Sequence, residues 1–194
     1  MDKNDVERAK KRAVIIETAY KLFTQKGLEK TSIRDIANLA EMNLNTIYYY
    51  FRTKAEIVIC CVEYGLERIS KNLFGLARYK RLDDSSFFSE LLDYSLVNKD
   101  QFCWCYQVIT SPNYNWLMKD ILFKTRKNFD KYIFEMAQNN NIEFKKLKNL
   151  IGIVILIIKD YMISEDENCK IQMKFISNQL NELMQVNKNN GGIN

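Results

Sequence analysis

A single proline, Pro112, interrupts 194 residues, and glycine appears only six times. A many-stranded β fold turns sharply at every hairpin and draws on these two residues to do so. Long helices with few connections do not, so an all-α fold is expected. Helical periodicity supports it: across Val6–Gln25, Ile15, Ile16, Ala19, Leu22 and Phe23 fall at helical spacing, with Lys10, Lys11, Arg12 and Lys21 among the polar positions. Gly27 is placed to end this helix.

Thr31 or Ser32 can cap a short second helix carrying Ile33, Ile36, Ala37 and Ala40, and Asp35 stands where a capping box places its acid. Only Glu41 to Asn43 separate it from a third helix, capped by Asn43 and running Leu44–Asn45–Thr46–Ile47–Tyr48–Tyr49–Tyr50–Phe51. Two short helices across a tight turn form a helix-turn-helix. Ile47 and Phe51 face the same way and pin the third helix to the first two, which leaves Leu44, Asn45, Thr46, Tyr49 and Tyr50 near the outer surface. Should the turn need a left-handed residue, Asn43 tolerates that region. Thr53 can cap a long fourth helix from Lys54 to about Ala77, and Arg78–Asp84 reads as a charged connection. Further helices are expected at 85–98, 100–110, 113–139, 143–163 and 168–187. The expected organisation is a helix-turn-helix domain over 1–54, a larger helical domain over 55–187, and a disordered tail over 188–194.

Charge is unevenly spread. Residues 1–54 hold 11 Lys and Arg against 7 Asp and Glu, whereas residues 55–194 hold 18 against 17, so most of the net +5 lies in the first quarter of the chain. A basic excess of this kind suits nucleic acid, because each phosphate neutralised releases a counterion.

Several classes of function fit poorly. The longest apolar run, Leu150–Ile158, lies between Lys148 and Lys159 and falls short of the roughly 20 residues that span a bilayer. The charged N-terminus has no apolar secretory core behind it, and a cytoplasmic location is expected. Five cysteines (Cys60, Cys61, Cys103, Cys105 and Cys169) make no disulfide framework, and with no histidine in the chain neither a metal nor another cofactor is expected. No phosphate-cradling glycine loop or nucleophile motif accompanies them, so no enzyme activity is expected.

The stretch Ile15–Ile16–Glu17–Thr18–Ala19, then Leu22–Phe23, Gly27, Thr31–Ser32–Ile33–Arg34–Asp35–Ile36–Ala37, Ala40, and Thr46–Ile47–Tyr48–Tyr49–Tyr50–Phe51–Arg52–Thr53–Lys54 resembles the N-terminal domain of TetR-family transcriptional regulators. The departures sit in the turn, Ala40–Glu41–Met42–Asn43, which lacks the family's usual glycine, and at Asn45. The resemblance implies a homodimeric repressor that binds double-stranded operator DNA and is released by a small-molecule effector. An architectural or division-linked DNA binder of the same fold, without an effector, is the alternative. The set expected at DNA is Thr31, Ser32, Asn43, Leu44, Asn45, Thr46, Tyr48, Tyr49, Tyr50 and Lys54. By resemblance Thr46, Tyr48, Tyr50 and Lys54 meet phosphates, while Leu44, Asn45 and Tyr49 are candidates for base edges. Packing is the other reading of the tyrosines.

Beyond residue 85 the chain is rich in aromatics, which can wall a small-molecule pocket or fill a helical core. Phe87, Phe88, Tyr94, Phe102, Trp104, Tyr106, Trp116 and Phe123 are the candidate effector pocket. Leu147–Met162 is apolar on almost every face, and such a helix must be covered all round. Either one subunit's core covers it or a second copy does, and the dimer seam expected is Ile151, Val154, Ile155, Ile158, Ile171, Phe175, Leu180 and Leu183.

Overall fold

The computed structural model describes residues 3–79, 87–164 and 166–190, apart from the side chains at 73–74, 76–79, 87–89 and 183–190. Among these residues there are nine α-helices and no strand: α1 (Lys3–Lys26), α2 (Ile33–Leu39), α3 (Leu44–Tyr50), α4 (Lys54–Tyr79), α5 (Phe87–Val97), α6 (Lys99–Thr110), α7 (Lys119–Asn139), α8 (Phe144–Ser164) and α9 (Asn168–Asn190). The fold is all-α, as expected. The helix foreseen from residue 113 starts instead at Lys119. After Pro112 the Ser111 carbonyl accepts from Tyr114 (3.1 Å) and Asn115 (2.8 Å), and a short 3₁₀ turn, Asn115–Met118, takes up the chain before α7. At the other end α9 runs on to Asn190, so of the expected tail only 191–194 lie outside the described residues. Residues 80–86, which hold most of the expected charged connection, also lie outside them.

The chain divides into two compact units, Met1–Arg68 with Asp100–Phe123, and Ile69–Lys99 with Lys124–Asn194. The first extends past residue 54 because one face of α4 belongs to it: Ile57, Val58, Cys61 and Val62 are fully buried, as are Ile15, Ala19 and Phe23 of α1, Ile36 of α2 and Ile47 of α3. From α6, Trp104 stacks on Phe23 (5.7 Å between ring centroids) and meets Tyr20 edge-on (5.5 Å). Gly65 is where α4 needs the smallest side chain, since a Cβ there would stand 2.7 Å from the Tyr20 ring and 2.9 Å from Cys105 Sγ. Burial pushes the Cys105 thiol up to about 12 and moves Cys61 in the same direction, so both stay protonated near neutral pH.

In the second unit α5, α8 and α9 pack on one another. α7 ends at a left-handed residue, Asn141 (φ 52°), where Asn141 N–H donates to Gln138 O (3.2 Å) and Ile142 N–H to Ala137 O (2.9 Å). This double closure satisfies carbonyls that a helix end would otherwise leave open. The expected dimer seam splits here. Val154, Ile158 and Leu180 are buried in the subunit's own core, Ile151 is half-buried, and Ile155, Ile171 (68% exposed) and Phe175 (61% exposed) face outward with Leu156 and Ile163. The reason is helical phase: Val154 and Ile158 share the inward stripe with Leu147 and Tyr161, one residue out of step with Ile155. The side chain of Leu183 lies outside the described residues.

Candidate nucleic-acid interface

α1 stops at Gly27, whose positive φ (84°) a side chain would strain. The Thr31 hydroxyl donates back to Gly27 O (2.9 Å) and Leu22 O (3.5 Å), and the residue is 1% exposed. Thr31 therefore departs from the set expected at DNA: it ties off the end of α1 and presents no outer face. Ser32 caps α2. Its Oγ accepts from Asp35 N–H (3.1 Å), while Asp35 Oδ2 accepts from Ser32 N–H (2.7 Å) and from the Ser32 hydroxyl (2.6 Å). Those bonds from Ser32 hold the Asp35 carboxyl below its ordinary pKa.

The turn into α3 places its left-handed residue at Glu41 (φ 53°), not at Asn43. Asn43 is extended (φ −74°, ψ 157°) and caps α3, its Oδ1 accepting from Thr46 N–H (2.7 Å) and from the Thr46 hydroxyl (2.8 Å). With Ile47 and Phe51 buried beneath, α3 turns outward Asn45, Tyr48 (47% exposed) and Tyr49 (66% exposed), with Leu44, Thr46 and Tyr50 half-buried beside them. Tyr49 and Tyr50 meet edge-to-face at 5.0 Å. Ser32, Asn43, Asn45 and this tyrosine run thus lie on exposed parts of one helix-turn-helix. Lys54, at the start of α4, is half-buried and donates from Nζ to Leu28 O at 2.6 Å, so its ammonium has an acceptor within the protein.

The aromatics expected to line an effector pocket have diverse placements. Trp104 is buried against Tyr20 and Phe23; Tyr106, Trp116 and Phe123 are exposed; Phe102 is half-buried; Tyr94 accepts from Asn72 Nδ2 (2.9 Å). The side chains of Phe87 and Phe88 lie outside the described residues. Among the described residues no three potential metal ligands are gathered, and no helix is long and apolar enough to cross a membrane.

Residues 15–60, from the middle of α1 into α4, match the sequence profile of bacterial regulatory proteins of the tetR family. That segment is similar to the helix-turn-helix of the tetR family. It is 44% identical over 59 residues to the probable HTH-type transcriptional regulator YttP of Bacillus subtilis, a match spanning 30% of this chain and 28% of YttP. A second relative from Bacillus subtilis, the uncharacterised HTH-type transcriptional regulator YvdT, is similar along most of its length: 26% identical over 179 residues, 84% of this chain and 89% of YvdT. In fold, the crystal structure of a tetR-family regulator from Mesorhizobium loti matches with a TM-score of 0.67 at 16% identity, over 92% of this chain and 96% of that one.

The candidate interface has one feature beyond the set read from the sequence. Arg8 of α1 lies over the Tyr49 ring (5.5 Å), and Arg12, one helical turn on, lies over the Phe51 ring (5.0 Å) while donating to Cys60 Sγ (2.9 Å). The two arginines flank α3 with positive charge and hold its aromatic rings by cation–π attraction. Their spacing of four, which puts them on one face of α1, is the signal that the sequence carries for them.

Proposed function

We propose that this chain is a sequence-specific DNA-binding repressor that acts as a homodimer and leaves its operator when a small molecule binds. The single observation that carries DNA binding is the outer face of α3. Asn45, Tyr48 and Tyr49 point outward from a seven-residue helix whose inner residues are fully packed, within the most basic part of the chain. A rigid helix presenting an amide and phenols is suited to the major groove, where Asn pairs with adenine and tyrosine hydroxyls reach phosphates. Ser32, Asn43, Leu44, Thr46, Tyr50 and Lys54 complete the proposed contact set; Lys54 would exchange the Leu28 carbonyl for a phosphate. In support of a dimer, Ile155, Leu156, Ile163, Ile171 and Phe175 expose apolar surface on two successive long helices. A symmetric pair places two copies of α3 in successive major grooves about 34–36 Å apart.

Selection of bound sequences from random duplex DNA tests this reading, and a near-palindromic site is the expected product. On that site Asn45→Ala should relax preference at one base position. Lys54→Ala should weaken all sequences alike and flatten the salt slope by about one unit. Phe175→Glu, a charge placed on the exposed stripe, should yield folded monomers in sedimentation and weaken operator binding. Equal affinity for selected and random duplexes at physiological salt would refute the proposal.

A further inference from the structure

None of residues 3–14, the first three turns of α1, is buried, and the first core residue of the helix is Ile15. The stretch carries Lys3, Arg8, Lys10, Lys11 and Arg12 against Asp5 and Glu7, and it lies before the segment that matches the tetR profile. Two of its side chains nevertheless reach the end of α3. Arg12 lies over the ring of buried Phe51 (5.0 Å) and donates to Cys60 Sγ (2.9 Å), which holds this face of α1 against the end of α3 and against α4. Arg8, one turn nearer the N-terminus, lies over the Tyr49 ring (5.5 Å), while Glu7 beside it pairs with Lys11 (3.0 Å).

Tyr49 is largely exposed, so the core does not set the angle of its ring. The contacts that do are Arg8 on its face and the perpendicular ring of Tyr50 at 5.0 Å. Tyr49 stands one helical turn after Asn45, on the same outer face of α3. A phenol both donates and accepts, so a ring free to swing satisfies several base edges, whereas a ring held at one angle satisfies few.

We infer that Arg8 is the positioning residue for Tyr49, and that this contact between the first turns of α1 and α3 sets sequence preference at the base pair Tyr49 meets. The inference rests on the DNA-reading function proposed above. With the ring oriented before DNA arrives, less freedom is lost on docking, and the contact favours the base whose edge fits that one angle. The charge of Arg8 also attracts the phosphate backbone, but that effect is the same for every sequence. Preference and affinity therefore separate the two roles of one side chain.

The test measures affinity of the full chain for the selected operator and for each of its single-base variants. Tyr49→Ala marks the base position that Tyr49 reads. Arg8→Ala should lower discrimination at that same position by about two- to fivefold, the reach of an exposed cation–π contact, on top of a uniform loss from the missing charge. The other positions should keep their preferences. In the Tyr49→Ala background, Arg8→Ala should add the uniform loss alone, because the ring it orients is gone. Both residues are exposed, so the variants should keep the helical circular dichroism of the parent chain. A loss in Arg8→Ala by one factor for every duplex would overturn the inference, as would losses of discrimination that simply add in the double variant. A parent chain with no preference among the duplexes would instead sink the DNA-reading proposal, and this one with it.

Discussion

The turn between α2 and α3 and the turn between α7 and α8 close with the same two hydrogen bonds: Glu41 to Asn38 and Met42 to Ala37 in one, Asn141 to Gln138 and Ile142 to Ala137 in the other. Both place one left-handed residue after an alanine-containing last turn, and both bury the first core residue of the next helix, Ile47 or Leu147. The helices they lead into differ. α3 is seven residues long and turns an amide and phenols outward. α8 continues for 21 residues, and its early cations face acids, Lys146 with Glu143 (3.5 Å) and Lys148 with Asp130 (2.7 Å). A helix-turn-helix backbone is thus a generic connection, and what separates the two is the outward chemistry of the second helix.

The contrast between the turns is tested hardest at their shared core position. Ile47→Ala and Leu147→Ala each remove a fully buried side chain and should each cost about 2–5 kcal/mol in denaturant unfolding. Among molecules still folded, the first should lose operator affinity and the second should keep it. If both lost DNA binding in proportion to stability, the two turns would be alike in function. The caps are a smaller lever. Asn43→Ala removes the side chain that starts α3 and should cost about 1 kcal/mol. Glu143→Ala, at the equivalent place, removes only an exposed ion pair and should stay within about 0.5 kcal/mol. The smallest effect is at the left-handed residues. Glu41→Gly should raise stability by about 0.5 kcal/mol, a gain of about 1–2 °C in melting temperature, whereas Asn141→Gly should change little because asparagine already tolerates that backbone. Equal shifts at the two positions would mean that the glutamate carries no strain.

Helix starts are legible where a side chain announces them. Ser32 with Asp35, Asn43, and Thr53, whose Oγ1 accepts from Glu56 N–H (3.2 Å), all cap as their types suggest. The inward set Ile15, Ala19, Ile36, Ile47 and Phe51 is legible from period alone. Glu41 is not, because its left-handed backbone is imposed by packing around the turn, and local preference points to Asn43. Thr31 misleads for a related reason: a hydroxyl at a helix start can face a phosphate or the preceding helix's carbonyls, and only the path of the Gly27–Leu28 loop decides. On α8, where nearly every residue is apolar, composition cannot tell the inward stripe from the outward one, so Val154 and Ile155 fall in one expected seam although they face apart.

Gly65 sets how closely α4 packs on α1 and α6 in the first compact unit. With no side chain between α4 and the edge of Tyr20, and Trp104 wedged between Tyr20 and Phe23, α4 cannot slide along α1 without driving backbone into a ring. Close-packed interiors transmit such a push and do not absorb it. α4 is also the helix that runs on past Arg68, out of the first compact unit. Within that first unit, the part of α4 up to Arg68 is therefore held in one fixed position along α1, and the side chains of α1 and α6 that touch it share any load placed on it.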